Sequence, residues 1–264
     1  AYFHFGSFFN LSTKQSKPTP QNQLKIFSFN VRLFNFYETK DAQKNIPKIM
    51  QSYLKKAQPD VLCFQEFNKN MKIDFSEYPY HYKYFKNKNI LGHAIYSKYP
   101  LINTHSFNFK DSYNNTMVAD VIRGVDTIRV YNLHLQSFSI PPSMKYLQEV
   151  DNEVLRKRVS TRFIKQQNQI DEIIRHKNKS TSPVIISGDF NNTAFSYIYH
   201  QLSKDMNDAF LIAGSGMGTT FVFENYPMRI DYLLATKDLK VLDYTTLKNT
   251  FSDHYPISAT FGWD

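Results

Sequence analysis

Cysteine is nearly absent from this sequence, since Cys63 is the single example among 264 residues. No disulfide can therefore form within the chain, and the cysteine count does not distinguish an oxidising from a reducing compartment. Cys63 lies in the apolar run 61–64, which predicts a buried strand in which a thiol behaves as a small apolar side chain. A catalytic cysteine is therefore not expected.

Long apolar runs are also missing, and no stretch approaches the length needed to span a bilayer. The chain nevertheless begins with Ala1 rather than Met, and residues 2–9 are rich in aromatic side chains. A removed signal peptide, or a cut just after a membrane segment, would explain both features. An ordinary chain boundary with aromatics packed on the domain is the equal alternative. We interpret residues 1–23 as an N-terminal segment, and favour anchoring at the cell envelope through a preceding region over a cytoplasmic location.

Acidic residues are fewer than basic ones, 23 Asp and Glu against 32 Lys and Arg, which gives a formal net charge of +9. This charge favours a phosphate-rich partner, either nucleic acid, an anionic lipid headgroup or a phosphorylated small molecule. Codon bias is an alternative source of part of the excess. The charge therefore supports a phosphate-bearing substrate and does not choose among the three classes.

From residue 24 onward, short β-rich runs alternate with a few amphipathic segments. The β-rich runs predict strands at 24–31, 61–65, 80–85, 93–97, 101–109, 116–122, 127–133, 184–187, 230–235, 241–247 and 255–261. Helical spacing predicts helices at 41–57, 196–202 and 143–176, the last with a face from Leu155 to Ile170 that packs on the core. Many strands with few helices favour an α/β (α+β) fold, a four-layer sandwich of two packed mixed β-sheets flanked by helices. We expect one such domain over residues 24–264.

Polar side chains close the first two predicted strands. Asn30 ends the first strand and Glu66 ends the second. If these strands are neighbours in one sheet, the amide and the carboxylate lie side by side, a hard-oxygen site suited to Mg²⁺ or Mn²⁺. Taken singly each residue is a weak signal, because asparagine often ends strands for turn reasons.

Three further candidates follow later strands. His134 most simply fills the core, but its place near a strand end would let the imidazole protonate a leaving alkoxide or hold a phosphate oxygen. Gly188 permits a sharp turn after a buried strand, so that Asp189 and Asn191 project together into a cleft. We expect Asp189 to orient or deprotonate the attacking water and Asn191 to donate to the phosphate. Capping of the following helix is the alternative interpretation of these two residues.

Asp231 interrupts an otherwise apolar strand, so its carboxylate needs a partner. His254 is the natural one, because an Asp-His pair fixes the tautomer and stabilises the imidazolium when negative charge builds on phosphorus. Asp253, next to it, would complete the metal shell. A surface turn before Pro256 is the plainer interpretation of residues 252–254.

Together these motifs resemble the endonuclease/exonuclease/phosphatase superfamily, the deoxyribonuclease I-like fold. The similarity is closest to bacterial members, many of them from Bacteroidetes, in which such a domain follows membrane segments. The resemblance implies a phosphoesterase that uses Mg²⁺ or Mn²⁺ as cofactor. It implies roles by position: Glu66 and Asp253 as metal ligands with Asn30 close by, Asp189 and Asn191 for water and phosphate, and His254 paired with Asp231. The stretches that carry the resemblance are 30, 65–66, 92–100, 132–135, 188–191, 229–232 and 252–254.

Differences from the patterns of individual subfamilies indicate which of them the sequence resembles more. Arg32 and His134 resemble deoxyribonuclease I more than the abasic-site endonucleases. A Trp before Gly-Asp and a later Cys-Asp-Arg, typical of inositol polyphosphate 5-phosphatases, are both missing, and Gln65 replaces the Asn that is typical of bacterial sphingomyelinases. The sequence does not reveal the acidic partner that the deoxyribonuclease I pattern implies for His134.

We therefore predict a monomeric metal-dependent hydrolase that cleaves phosphodiester bonds, with nucleic acid favoured by the charge and by His134. A lipid or phosphoinositide phosphodiesterase or phosphatase is the alternative, which a membrane-proximal location would suit. A non-catalytic phosphate-binding module ranks third, because every position that catalysis requires is occupied. The segment 137–176 either covers the substrate site or fills out the sandwich.

Overall fold

The computed structural model describes residues 20–141, 143–248 and 250–264. The predictions for residues 1–19 lie outside these ranges. The first strand begins at Asn22, two residues before the predicted start of the domain.

The described residues form fourteen strands and six α-helices. In chain order they are β1 (Asn22–Asn30), α1 (Lys40–Lys44), α2 (Ile46–Ala57), β2 (Val61–Asn68), β3 (Tyr80–Phe85), β4 (Leu91–Ser97), β5 (Leu101–Ser106), β6 (Thr116–Arg123), β7 (Asp126–His134), α3 (Met144–Glu149), α4 (Asn152–Lys177), β8 (Val184–Asp189), α5 (Tyr197–Ser203), β9 (Met206–Asp208), α6 (Ala209–Ala213), β10 (Phe221–Phe223), β11 (Tyr226–Met228), β12 (Asp231–Thr236), β13 (Lys240–Thr246) and β14 (Ile257–Trp263). None of the helices in these ranges combines the length and apolar character that crossing a membrane requires.

Twelve of the strands form two six-stranded sheets. The first has the order β13-β14-β1-β2-β4-β3 and the second the order β5-β6-β7-β8-β12-β9. Each sheet is mixed, because β1 runs parallel to β2 and β7 runs parallel to β8 while the other pairs are antiparallel. The strands β10 and β11 form a separate hairpin.

Three apolar clusters hold the layers together. Residues of both sheets, such as Ile26 and Val130, share the central cluster, so the sheets pack face to face. A second cluster joins the outer face of the first sheet to α2, and a third joins the outer face of the second sheet to α4 and α5. The predicted four-layer sandwich of two packed mixed sheets flanked by helices is confirmed.

Two predicted helices are interrupted. The helix expected at 41–57 divides at Asn45 into α1 and α2, and that expected at 143–176 divides before Asp151, whose carboxylate accepts hydrogen bonds from the backbone of Glu153 and Val154 and caps α4. Only the second half of α4 packs on the core as predicted. Ile170 is fully buried, whereas Phe163 is 39% exposed.

Candidate active site

Strand pairing brings the predicted residues together at one end of the sandwich. In the first sheet Asn30 lies opposite Gln65 in the parallel pair of β1 and β2. In the second sheet Asp189 lies opposite both His134 on β7 and Asp231 on β12. Because residues directly opposite each other project from the same face, three neighbouring strands present one imidazole and two carboxylates side by side.

A bulge in β2 aims the carboxylate of Glu66. Two residues of β2, Gln65 and Glu66, lie opposite the single residue His93 of β4. Such bulges re-aim a side chain beside a functional site. Here the Glu66 Oε1 atom lies 3.3 Å from Asn30 Nδ2, so the predicted neighbours are in contact.

Position 188 requires a glycine, because of both its backbone conformation and the space available to a side chain. Its φ is 129°, and a Cβ at this position would lie 2.0 Å from the carbonyl oxygen of Leu133. Only glycine lets β8 approach β7 so closely at this turn. The following residue, Asp189, is thereby held at the junction of the two strands.

Left-handed backbone conformations occur at several non-glycine residues near these positions. Residues 32–35, just after β1, have φ values between 45° and 55°, while Glu66 has 50° and Asn191 has 51°. Eight further non-glycine residues with positive φ lie elsewhere in the described ranges. Each such residue costs about 1–3 kcal/mol and persists only where surrounding structure enforces it.

Asp189 is the centre of the site. Its Oδ2 atom accepts a hydrogen bond from Asn30 Nδ2 at 3.0 Å and lies 3.7 Å from the Nε2 atoms of both His134 and His254. Its Oδ1 atom accepts a hydrogen bond from the backbone of Asn191 at 2.7 Å. A single buried carboxylate therefore faces two imidazoles and links the two sheets.

Asp231 and His254 form the predicted pair. The Asp231 Oδ2 atom lies 2.9 Å from His254 Nδ1, and both side chains are buried. The hydroxyl of Ser252 donates to the carbonyl oxygen of Asn30 at 2.8 Å and thus ties the His254 loop to β1. The interpretation of residues 252–254 as a plain surface turn is wrong, because the imidazole is enclosed.

The two imidazoles differ in protonation. Burial alone would lower the pKa of His254, but the carboxylates of Asp231 and Asp189 outweigh it and raise the pKa to about 10. Burial lowers the pKa of His134 to about 4, and it raises the pKa of Asp189 to about 6. At neutral pH the site therefore presents one charged imidazole, one neutral imidazole and a carboxylate that can exchange a proton.

Asn191 lies beside Asp189 with part of its amide engaged. One Nδ2 hydrogen goes to the carbonyl oxygen of Leu135 at 3.0 Å, and an amide nitrogen carries a second hydrogen. The helix that follows is capped by Ser196, so the alternative interpretation of Asp189 and Asn191 as its cap residues is wrong. Contact between Asn191 and a phosphate stays a prediction.

One buried group could hold a metal ion, since the ligand atoms of Asp189, Asp231 and His254 lie within 4.8 Å of one another. Asp231 Oδ2 and His254 Nδ1 lie 2.9 Å apart and form a hydrogen bond, so a cation that used these two atoms would break that bond.

Glu66 and Asp253 fit a cation better. Their side chains are 30% and 41% exposed, so a hydrated ion can reach them. Burial raises the pKa of Glu66, the imidazole of His254 and the hydrogen bond from Asn30 lower it, and the negative charge of Asp253 raises it. A divalent cation would relieve this repulsion, and carboxylate oxygens are the ligands that Mg²⁺ and Mn²⁺ prefer.

Asn30 contacts the carboxylates through nitrogen. Its Oδ1 atom accepts a hydrogen bond from the backbone of Arg32 at 3.1 Å, which directs Nδ2 toward Glu66 and Asp189. The amide orientation follows from this network. Asn30 therefore orients two carboxylates, and its direct coordination of a metal stays a prediction.

Two further buried polar residues belong to the site, although the sequence pattern assigns neither of them a role. His93 Nε2 lies 3.3 Å from His134 Nδ1, the position where an acidic partner was sought. Asn132 joins the sheets, because its Oδ1 accepts a hydrogen bond from Gln65 at 2.6 Å and its Nδ2 donates to backbone carbonyls of Phe64 and Ala94. A polar residue within an apolar strand is the signal that could have identified both.

Known proteins share the sequence pattern and the fold of this chain. The model of the Endonuclease/Exonuclease/phosphatase family matches residues 27–254. No curated protein matches the sequence.

Solved structures share the fold at low sequence identity. TDP2 from Caenorhabditis elegans is 20% identical with a TM-score of 0.65, over 93% of this chain and 77% of that one. Staphylococcus aureus beta toxin is 21% identical with a TM-score of 0.65, over 89% and 99%. The human Nocturnin catalytic domain, solved with a bound sulfate anion, is 17% identical with a TM-score of 0.64, over 92% and 95%. The deoxyribonuclease I-like architecture is common to all of them.

Proposed function

Because this chain belongs to the endonuclease/exonuclease/phosphatase family, we propose that it is a divalent-metal-dependent phosphodiesterase, with nucleic acid as the favoured substrate. The observation that carries the proposal is the contact of Asp189 Oδ2 with Asn30 and its approach to both His134 and His254. A base flanked by two imidazoles can deprotonate water and stabilise the negative charge that develops on a phosphate ester.

Water attacks phosphorus in line with the leaving oxygen, and Asp189 accepts the proton of that water. The leaving oxygen departs with the electrons of the broken phosphorus–oxygen bond and takes up a proton from solvent. Burial raises the pKa of Asp189 to about 6, close to the pH at which a general base is most effective. The protonated His254, held by Asp231, and the neutral His134 donate hydrogen bonds to phosphoryl oxygens as negative charge grows on them. The second Nδ2 hydrogen of Asn191 would add a third donor.

Glu66 and Asp253 are the residues that would hold the cation, with Asn30 orienting the first of them. A bound Mg²⁺ or Mn²⁺ would supply positive charge against the oxygens of the scissile phosphate. Coordination by Asn30 itself requires its amide oxygen to donate a lone pair to the metal while it accepts the hydrogen bond from the backbone of Arg32.

Charge supports a nucleic acid substrate. The first half of α4, residues 152–165, carries five basic side chains and one acidic one. This helix contacts the site loops, because Gln166 donates to the carbonyl oxygen of Gln136 at 2.7 Å and accepts from Asn192 at 2.5 Å. A polyanion bound in the site would therefore pass close to cationic side chains.

Exposed apolar side chains favour a second candidate, a lipid phosphodiesterase. Phe195 and Tyr197, just after the Asn191 turn, are 50% and 57% exposed, and Tyr226 on β11 is 58% exposed. Aromatic side chains of this kind bind at the boundary between lipid headgroups and acyl chains.

A substrate panel tests both candidates. Wild type and Asp189→Asn are compared on plasmid DNA, single-stranded DNA, RNA, inositol phosphates, sphingomyelin vesicles and a bis-aryl phosphate, with Mg²⁺ or with a chelator. We expect wild type to cleave nucleic acid when the metal is present, and Asp189→Asn not to cleave it. Cleavage of the lipid only would favour the second candidate, and no cleavage of any ester would contradict both.

We also propose that the protein is similar to Bacteroidetes members of the family, that it acts as a monomer, and that it is anchored at the cell envelope. Light scattering of the purified protein tests the monomer, and a mass above 31.1 kDa would contradict it.

A further inference from the structure

Two buried imidazoles meet across the interface of the sheets. His93 comes from β4 of the first sheet and His134 from the end of β7 in the second. Their Nε2 and Nδ1 atoms are 3.3 Å apart, and the ring centroids are 5.4 Å apart at an angle of 53°. The side chains are almost fully enclosed, with 1% and 4% exposed. The contact is therefore a specific hydrogen bond within a packed interior.

The surroundings of His134 decide which nitrogen carries its hydrogen. Its Nε2 atom lies 3.7 Å from Glu66 Oε1 and also 3.7 Å from Asp189 Oδ2. A lone pair facing two carboxylate oxygens would be repelled, so the hydrogen belongs on Nε2. In a neutral ring the Nδ1 atom is then an acceptor.

His93 must supply the matching donor. Two ring nitrogens 3.3 Å apart share one hydrogen, so one of them must donate and the other must accept. With Nδ1 of His134 as acceptor, the hydrogen between the rings belongs to Nε2 of His93. Each imidazole thus has one defined tautomer.

We propose that His93 is a positioning residue, which fixes His134 as the Nε2–H tautomer and aims that hydrogen at a phosphoryl oxygen of the substrate. The inference rests on the proposed function, because it presupposes a phosphate ester beside Asp189. It gives the two site imidazoles different tasks. His254 has a carboxylate partner, whereas His134 has an imidazole partner and acts as a hydrogen-bond donor through Nε2.

Two replacements of His93 separate positioning from packing. His93→Gln keeps an amide donor near the place of Nε2, whereas His93→Leu has similar bulk and no donor. Loss of a supporting partner of this kind lowers activity by about 10-fold to 100-fold. We expect His93→Leu to lose that much in kcat with KM little changed, and His93→Gln to restore most of it. Equal activity of wild type and His93→Leu would overturn the proposal.

A double replacement adds a test that a structural role would not pass. If His93 acts through His134, then His93→Leu combined with His134→Ala is no slower than His134→Ala alone. If the two replacements lower kcat by factors that multiply, and His93→Gln does not restore kcat, then His93 only supports the fold.

Nuclear magnetic resonance of the wild-type protein tests the tautomer without substrate or metal. Long-range ¹⁵N–¹H correlations of the histidine rings distinguish Nε2–H from Nδ1–H. We expect His134 to be the Nε2–H tautomer in wild type and in His93→Gln, and a mixture in His93→Leu. An Nδ1–H tautomer in wild type would overturn the proposal even if the enzyme is active. Failure of the proposed function would be recognised separately, as absence of turnover with a correct tautomer.

Discussion

The Nδ1 atom of His254 lies 2.9 Å from Oδ2 of Asp231, although 23 positions separate the two residues in the chain. Asp231 comes from the second sheet, and the loop that carries His254 is tied to the first sheet through Ser252. The pair therefore spans the sandwich, and its geometry depends on correct packing of both sheets. Both members are buried, so their charges are strongly coupled.

Replacement of Asp231 by Asn tests this coupling. The variant keeps the shape of the side chain but removes the charge that raises the pKa of His254. We expect kcat to fall by about 100-fold to 10,000-fold, as for loss of an acid-base partner. The pKa of His254, followed by nuclear magnetic resonance, falls in the same variant. Asp238→Asn, a change at an exposed turn, is the matched control and leaves both quantities unchanged.

The raised pKa of His254 also predicts how stability depends on pH. The folded-state pKa is about 10, above the ordinary value of about 6.5, so proton binding favours the folded protein. This contribution is fully present below pH 6.5 or so and is lost as the pH rises through about 10. The melting temperature of the metal-free protein therefore falls over that range more in wild type than in His254→Gln. Parallel curves for the two proteins would contradict the assignment.

Gly188→Ala should unfold the turn before Asp189. The new Cβ would lie 2.0 Å from the carbonyl oxygen of Leu133, so β7 and β8 must separate. We expect a loss of about 3 kcal/mol in the free energy of unfolding, measured with urea, and loss of activity. Gly124→Ala is the control, because its φ is also positive but open space surrounds it, so that only the conformational cost of about 1 kcal/mol remains. Equal losses would show that close approach of the strands is unimportant.

Metal binding should stabilise the protein through Glu66. A cation that binds only the folded state raises the melting temperature as its concentration increases. We expect Mg²⁺ to do so for wild type and for Glu77→Gln, an exposed control, and to have little effect on Glu66→Gln. A full response of Glu66→Gln would place the cation elsewhere, with the group of Asp189, Asp231 and His254 as the first alternative.

Much of the fold could be predicted from the sequence, because strand patterns are local. The strand at 80–85 has the predicted bounds, and most others differ by one to three residues. The break before Asp151 was missed, since helical spacing continues through it and only the cap reveals a new start. The strand β9 and the hairpin of β10 and β11 are three residues each, too short for any periodicity.

The site was predicted in part for a similar reason. Asn30 and Asp189 end their strands and Glu66 lies near the end of β2, and parallel strand ends meet at one edge of a sheet. The contact of His93 with His134 joins different sheets, so it depends on how the sheets are stacked, which no local pattern encodes. The bulge that aims Glu66 is likewise set by pairing with β4.

The most direct test of the central claim is the rate of hydrolysis of a bis-aryl phosphate by wild type and by Asp189→Asn, each with Mg²⁺ and with a chelator. Asp189 contacts Asn30 and faces both His134 and His254. The account therefore predicts that wild type turns over the substrate when Mg²⁺ is present and does not when the chelator is present. It predicts a rate at least about 100-fold lower for Asp189→Asn. Undiminished turnover by Asp189→Asn, or equal rates of wild type with and without the chelator, would contradict it.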